Sequence, residues 1–346
     1  MKVFELTRTL IDIPSVTGDE QAVGLFLASH LEDLGFSAGL QEVAEGRFNV
    51  VATTGAVPRV VLSTHMDTVP PHIVSSENDT RIFGRGACDA KGIIAAQIIA
   101  AERLRANGLD EIGLLFTVDE ELGSAGARIA NSHEIARACD YLINGEPTDN
   151  KLATATKGSL RLSLTAKGRS SHSAYPEQGE SAIEKLLDVL EDIRRFEWPV
   201  DAELGETTCN IGVIDGGTRP NVIPADASAI LQFRLVTNAE AVKAALGKLV
   251  AGRVEVEYLS ENDPVHLLTV DSLAQCVVRF TTDIPYLWNW GQALLIGPGS
   301  ILNAHTDHEF VEKEELTQAV DLYARLVQDL LLRRESSASS QGGTLN

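Results

Sequence analysis

The first 150 residues alternate between the apolar spacing of helices and the short apolar runs of buried strands. Helical spacing follows Thr17-x-x-Glu20, whose residue types match a capping box, and it ends at Gly35. Two more helices are predicted, from about Gly92 to Asn107 and near Ser124–Asn131. Strands are predicted over Asn49–Ala52, Pro58–Thr64, Ile112–Val118 and Asp140–Asn144. Strands that alternate with helices predict an α/β layer with a mostly parallel sheet.

The pattern changes after Lys151. Alternating apolar positions there predict strands over Leu160–Ala166, Thr207–Ile214, Ala227–Val236 and Arg253–Tyr258. Helical spacing predicts helices over Glu180–Phe196 and Ala239–Ala251. The resulting β-α-β-β-α-β order is the split βαβ pattern of a small, ferredoxin-like α+β sandwich.

The first pattern returns from Asp271, with a predicted helix to about Thr281, a strand at Ala293–Ile296 and a helix from Lys313 to about Leu332. The α+β region is therefore predicted to be inserted into the larger domain. We place the larger domain at residues 1–155 and 266–334, the inserted domain at 156–265 and a disordered, Ser/Gly-rich tail at 335–346. The predicted fold class is α/β, a three-layer αβα domain with an inserted α+β sandwich.

Composition limits the classes of protein to consider. A chain of 346 residues is expected to form two domains, and 44% hydrophobic residues suffice for a sizeable core. Apolar runs stay shorter than the roughly 18 residues that span a bilayer, and the N-terminus lacks a signal-peptide pattern, so we predict a cytoplasmic protein without membrane contact. The four cysteines lack CxxC spacing and are expected to be reduced. A net charge of −20 makes nucleic acid a poor partner.

Candidate metal ligands follow three of the predicted strands. His65 and Asp67 come directly after the second strand, Glu120 and Glu121 after the third, and Glu146 after the fourth. Open α/β sheets place their ligand sites beyond the carboxyl ends of the strands. We therefore expect these side chains to lie close together.

Two further segments carry candidate ligands. Asp89 lies in the glycine-bracketed loop GRGACDAKG, and GPGSILNAHTDHE supplies His305 and His308 late in the chain. Each cluster alone has an ordinary explanation, such as a helix cap, a turn or a solvated charge pair. Together, so many like charges would repel one another unless cations compensate. Imidazole with carboxylate suits Zn²⁺, Co²⁺ or Mn²⁺, and two ions about 3.5–4 Å apart could share one carboxylate.

The order of HxD, a loop Asp, a Glu-Glu pair, a later Glu and a late His resembles the M20 family of metallopeptidases and deacylases. The resemblance extends over essentially the whole chain, and it implies a zinc-peptidase-like catalytic domain with an inserted lid or dimerisation domain. It also implies two divalent metal ions, Zn²⁺ or Co²⁺. Their implied ligands are His65, Asp89 and Glu146 for one ion, and Asp89, Glu121 and His305 for the other, with Asp89 bridging.

The same resemblance implies the remaining roles in the catalytic domain. Glu120 is expected to act as general base and then as general acid, and Asp67 to orient His65 from behind. The family's late motif has a glutamate four residues after its histidine. Here that pattern selects His305, which is followed by Glu309, over His308.

The inserted domain supplies further expected site residues. KGRSSHSAYPEQG resembles the lid segment whose histidine, here His172, reaches the active site of the partner subunit and stabilises an oxyanion. This implies a homodimer. Asn221 and Arg234 are the candidates for substrate binding from the lid, and Gly297 is expected at the substrate pocket. Without the resemblance, His172 would be interpreted as an ordinary loop histidine.

The expected activity is hydrolysis of an amide bond in a small N-acyl amino acid. GEPT around Glu146 and the GPGS…AH…E ending resemble the acetylornithine deacetylase group, so N-acetylornithine and a place in arginine biosynthesis are expected first. Alternatives are succinyl-diaminopimelate desuccinylase, N-acetylcitrulline deacetylase and a di- or carboxypeptidase. A non-catalytic amino-acid-binding protein on the same fold is the alternative from another class.

Overall fold

A computed structural model of the protein describes residues 2–341. The helices within this range, in chain order, are α1 Val3–Asp12, α2 Gln21–Asp33, α3 Lys91–Ala106, α4 Ala125–Ala130, α5 Ala182–Arg195, α6 Ala239–Val250 and α7 Lys313–Gln341. The strands of the first half are β1 Ser37–Ala44, β2 Arg47–Thr53, β3 Val60–His65, β4 Ser76–Glu77, β5 Arg81–Phe83, β6 Ile112–Thr117, β7 Tyr141–Asn144, β8 Leu152–Thr156 and β9 Gly158–Lys167. Those of the second half are β10 Val200–Asp201, β11 Gly205–Glu206, β12 Thr208–Gly216, β13 Asp226–Leu235, β14 Glu255–Asn262, β15 Val265–His266, β16 Gln275–Val278, β17 Gln292–Leu295 and β18 Phe310–Glu312.

The chain divides into two compact units. The first runs to Thr154, resumes at Leu267–Cys276 and continues from Thr282. The second consists of Ala155–His266 and Val277–Thr281. The functions expected for these parts, catalysis in one and a lid or dimerisation surface in the other, stay predictions.

The first unit is built on a six-stranded sheet in the order β1-β2-β6-β3-β7-β17. β6, β3, β7 and β17 run parallel, β2 pairs antiparallel with β6, and β1 pairs antiparallel with β2. Alternate residues of β3 enter different cores: Val60 and Leu62 pack into the core that includes α3 and α7, whereas Val61 packs with α4 and Trp290. The sheet is therefore covered on both faces, which confirms the predicted three-layer α/β fold.

The parallel strands fix where the chemistry can be. Because β3, β6 and β7 run parallel, their carboxyl ends lie at the same edge of the sheet. His65 ends β3, and the polar segments that begin at Val118 and at Gly145 follow β6 and β7. These are the segments in which the sequence places candidate ligands.

The second unit is a two-layer α+β sandwich. Its antiparallel sheet has the order β12-β13-β9-β14, which is the ferredoxin-like order. Leu160, Leu162 and Leu164 alternate along β9 into a single core with α5 and α6. The N-cap residue of α5 is Ser181, whose side chain accepts a hydrogen bond from the Glu184 N–H. The predicted split βαβ pattern is confirmed.

Three local predictions are wrong. The helix expected from Asp271 to Thr281 is replaced by the strand β16, because its β-branched Val277 and Val278 belong to the three-stranded sheet β15-β8-β16. The helix α7 continues to Gln341, so the disordered tail is wrong for residues 335–341. The sequence from Lys313 to Gln341 contains no glycine or proline, the residues that commonly end helices. Residues 342–346 lie outside the described range.

The third error concerns the capping box. Glu20 is the residue before α2, but its side chain makes no capping hydrogen bond to the helix. The Thr17 hydroxyl instead donates to Asp67 Oδ2 at 2.8 Å, and the Glu20 carboxylate accepts from Arg47. Both residues are therefore committed to long-range contacts. Among the described helices, none is both long and apolar enough to cross a membrane.

Candidate metal centre

Four of the five predicted ligands come together within hydrogen-bond distance. His65 Nε2 lies 2.9 Å from Asp89 Oδ1, and His305 Nε2 lies 3.3 Å from Asp89 Oδ2. His305 Nε2 also lies 3.1 Å from Glu121 Oε1. Donor atoms of His65, Asp89 and Glu121 all lie within 4.8 Å of one another. One carboxylate, that of Asp89, therefore stands between two imidazoles.

The fifth predicted ligand, Glu146, is buried just beyond the end of β7. Its charge is close enough to act on the pKa of Glu120. Gly297 packs against its backbone, since a Cβ added at Gly297 would lie 2.6 Å from the Glu146 carbonyl oxygen. Gly297 itself is buried, which favours a packing role over direct contact with a substrate. The glycine allows the segment after β17 to approach the segment that carries Glu146.

Asp67 joins the first ligand to the glutamate pair. Its carboxylate accepts hydrogen bonds from the backbone N–H groups of Glu120, at 3.1 Å, and Glu121, at 3.3 Å. Its carbonyl oxygen lies 3.0 Å from His65 Nδ1, and its Oδ1 lies 3.5 Å from the same nitrogen. An acceptor at Nδ1 leaves Nε2 free to act as a metal ligand. Thr17, whose sequence pattern predicted a helix cap, completes this arrangement through its bond to Asp67 Oδ2.

The loop that carries Asp89 is held by a buried ion pair. Glu309 Oε1 accepts from the backbone N–H groups of Cys88 and Asp89, each at 3.2 Å. Glu309 Oε2 accepts from Arg85 Nη1 at 2.7 Å, and both side chains are almost fully buried. Glu309 stands four residues after His305 in the late motif. It therefore ties the segment of His305 to the loop of Asp89.

The electrostatics of the site reflect crowded negative charge. Burial, and then the charge of Glu146, raise the pKa of Glu120 well above its usual range. Burial likewise raises the pKa of Glu146, and the Asp89 charge adds to this shift. The hydrogen bonds with Asp89 and Glu121 raise the pKa of His305 to about 10. Buried carboxylates that repel one another in this way are stabilised by added positive charge.

The donor set fits divalent metal ions. Imidazole nitrogens and carboxylate oxygens are the donors that zinc and related metals take in proteins. Asp89 presents one oxygen to each histidine, so it can serve two ions at once. The residues present therefore fit divalent metal ions at His65, Asp89, Glu121 and His305, and Glu146 is a further buried carboxylate close by.

A buried carboxyl group outside the predicted set also belongs to this region. Asp283 Oδ2 accepts a hydrogen bond from the Thr117 hydroxyl at 2.7 Å, at the end of β6. Burial raises the pKa of Asp283 to about 6. Its charge raises the pKa of Glu120 and Glu146 in turn. Its sequence context, TTDIPYL, contains no local signal for such a role.

The predicted residues of the second unit fall into two places. Ser173 N donates to the Asn221 carbonyl oxygen at 3.0 Å, and His172 pairs with Val222, so His172 and Asn221 lie side by side on the surface. Arg234 lies near the opposite end of β13, where its Nη1 donates to the Thr281 hydroxyl at 3.5 Å. Within this unit the structure therefore brings His172 to Asn221 but separates both from Arg234.

Comparisons with known proteins show the family to which this chain is similar. The model of peptidase family M20/M25/M40 matches residues 61–329. A peptidase M20 domain-containing protein of Schizosaccharomyces pombe is 34% identical, over 94% of this chain and 84% of its own length. A probable carboxypeptidase of Emericella nidulans is 37% identical, over 95% of this chain and 90% of its own length.

A solved structure shares the fold. It is an M20 family metallo-carboxypeptidase from Sulfolobus solfataricus, with a TM-score of 0.76 and 19% sequence identity. The similarity covers 94% of this chain and 98% of that one. Both units therefore have counterparts in the known fold.

Proposed function

The chain belongs to peptidase family M20/M25/M40 and is a metal-dependent hydrolase. From this premise we propose that it hydrolyses the amide bond that joins a carboxyl-terminal amino acid, through its nitrogen, to the rest of the substrate. The observation that carries the proposal is the turn after β6. There Glu120 stands beside the candidate ligand Glu121, and Asp67 holds the backbone N–H groups of both. A ligand and a base are thereby fixed together.

Two zinc or cobalt ions are proposed for the centre. His65, Asp89 and Glu146 would hold one, and Asp89, Glu121 and His305 the other. When bound, such ions polarise a carbonyl group and make water a stronger acid. Three ligand carboxylates against two dications leave a charge of about +1, which favours a substrate with a free carboxylate.

Glu120 acts as general base and then as general acid in this proposal. Its carboxylate takes a proton from the attacking water, holds it on one oxygen and then gives it to the leaving nitrogen. Burial raises the pKa of Glu120 above its ordinary value, which is the direction of shift usual for a carboxyl group that serves as a general base and acid. A binding protein without turnover would have no use for such a group beside a complete set of ligands.

The relatives favour a peptide substrate. Six of the similar proteins are named probable carboxypeptidases. These names do not confirm the similarity to acetylornithine deacetylase that the GEPT and GPGS motifs led us to expect. A carboxyl-terminal peptide bond and an N-acyl amino acid nevertheless share the same leaving group, an α-amino acid with a free carboxylate. We therefore propose peptides first and keep N-acetylornithine, N-succinyl-diaminopimelate and N-acetylcitrulline as comparison substrates.

A homodimer through the second unit is also proposed. β12 is an edge strand of its sheet, and it exposes Val213 and Ile214 by 53% and 55%. A long apolar edge strand is suited to pairing with a second copy. In this arrangement His172 would stabilise the oxyanion in the partner subunit. Asn221, which lies beside it, stays a candidate for substrate binding. The cytoplasmic location also stays a prediction, with which four free thiols agree.

The two adjacent glutamates should respond differently to the same substitution. Glu120→Gln should keep its metal content and lose at least about 100-fold in kcat, because it removes the general base. Glu121→Gln should lose metal, because it removes a ligand. Plasma emission spectrometry and steady-state kinetics on both variants provide the measurement. Equal metal content and equal activity loss in the two variants would overturn the assignment.

The choice of substrate is tested by comparing kcat/KM across a panel. We expect an amino-blocked dipeptide with a free carboxylate, such as N-benzyloxycarbonyl-Ala-Gly, to exceed N-acetylornithine, N-succinyl-diaminopimelate and N-acetylcitrulline by at least tenfold. Its carboxyl-terminal amide should be cut about 10–100-fold less well, as expected when a charge-assisted hydrogen bond is lost. If N-acetylornithine is the best substrate by tenfold, the peptidase assignment is wrong.

Catalysis across the dimer is tested by mixing two inactive variants. Glu120→Gln and His172→Ala chains should regain activity after subunit exchange, because a mixed dimer contains one complete site. Light scattering should report a dimer for each variant. A verified mixed dimer that stays inactive would contradict the role proposed for His172.

A further inference from the structure

Arg47 joins two acidic side chains from distant parts of the first unit. Its Nε donates to Glu20 Oε2 at 2.7 Å, and its Nη2 donates to Asp119 Oδ1 at 2.9 Å. The Glu20 side chain is fully buried, and those of Arg47 and Asp119 are largely so. Ion pairs withdrawn from water are much less screened than surface pairs. The cluster is therefore built to hold a fixed geometry.

Asp119 accepts the hydrogen bonds that close the turn containing Glu120 and Glu121. Its backbone takes φ 72°, a left-handed conformation that is costly for most residues other than glycine. Its carbonyl oxygen accepts the N–H groups of Gly123, at 3.0 Å, and Ser124, at 2.6 Å, which closes the turn. Its Oδ2 accepts the N–H of Ala125 at the start of α4. Moving the Asp119 side chain would therefore shift the residues that follow it.

The turn is held from two sides by one short segment. On one side, Thr17 bonds to Asp67, which binds the backbone of Glu120 and Glu121. On the other side, Glu20 binds Arg47, which binds Asp119. Glu20 also accepts the Gly18 N–H at 3.0 Å, so the segment 17–20 is internally braced.

We infer that Arg47 is a positioning residue for the metal centre, which acts through Asp119 to fix the turn that carries Glu120 and Glu121. The inference rests on the proposed function, because it takes Glu121 as a ligand and Glu120 as the base. Arg47 touches neither of these side chains itself. Its contribution is to keep the ligand and the base at fixed positions relative to Asp89 and His305.

The shape of the guanidinium explains why this position has an arginine. Nε and Nη2 of Arg47 both donate to the Glu20 carboxylate, and Nη2 also donates to Asp119. One rigid, planar group therefore binds both carboxylates. A lysine ammonium keeps the charge but is a single point on a flexible stem, and it cannot reproduce this arrangement. Arg47→Lys therefore removes the geometry while retaining the charge.

Arg59 provides a matched control. Its side chain is 20% exposed against 19% for Arg47, and it also pairs with two carboxylates, Asp140 at 2.9 Å and Glu111 at 3.6 Å. It stands just before β3, at the other end of the strand from His65. Arg59→Lys should therefore show the general effect of replacing a paired arginine in this unit without disturbing the turn.

The experiment titrates zinc into Arg47→Lys, Arg59→Lys and the unsubstituted chain against a chromophoric chelator, and measures kcat and KM. For Arg47→Lys we expect the affinity for at least one zinc ion to fall about 10-fold or more, the scale for residues behind metal ligands. We expect kcat to fall about 10-fold with KM unchanged. Arg59→Lys should match the unsubstituted chain in both measurements.

A second variant guards against a general folding defect. Asp119→Asn should reproduce the loss of zinc affinity, and the double variant with Arg47→Lys should lose little more, because the two residues act in one chain of contacts. If Arg47→Lys and Arg59→Lys agree within twofold in zinc affinity and in kcat, Arg47 is no positioning residue. The zinc titration needs no turnover, so a chain that cleaves none of the peptides would refute the proposed function and still test this inference.

Discussion

The carboxylate of Asp89 stands between two imidazoles that come from distant parts of the chain, and the site depends on this contact. His65 ends a central strand, whereas His305 comes from the loop between β17 and β18. His305 itself has φ 63°, so its loop is held in an uncommon conformation. The buried pair of Arg85 and Glu309 holds the intervening loop in place. Breaking such a pair by removing one partner costs about 3–5 kcal/mol, so the position of Asp89 is strongly fixed.

The sequence predicted the parts of the molecule that follow from local patterns. The parallel strands β3, β6 and β7 are short, apolar and bounded by polar residues, and the candidate ligands follow their carboxyl ends. Parallel pairing then explains why His65, Glu121 and Glu146 lie at one edge of the sheet. The same local logic failed for the helix expected from Asp271, because pairing in a small sheet outweighed helical spacing.

The supporting residues could not be predicted, because their roles depend on contacts between distant segments. Thr17 and Glu20 have the residue types of a helix cap, yet one binds Asp67 and the other Arg47. Asp283 lies in a segment with no motif. The separation of Arg234 from Asn221 within the second unit likewise required the strand register. The candidate ligands can therefore be identified from short motifs, whereas their positions relative to one another depend on the fold.

The central claim is that Asp89 serves two metal ions at once. It is tested most directly by plasma emission spectrometry of the chain after saturation with zinc and removal of free metal by gel filtration. We expect two zinc ions per unsubstituted chain, and fewer than one per Asp89→Asn chain, because that carboxylate would contribute to both positions. A single ion at saturation in the fully active chain, or one firmly bound ion lost from Asp89→Asn with the other retained, would contradict the claim.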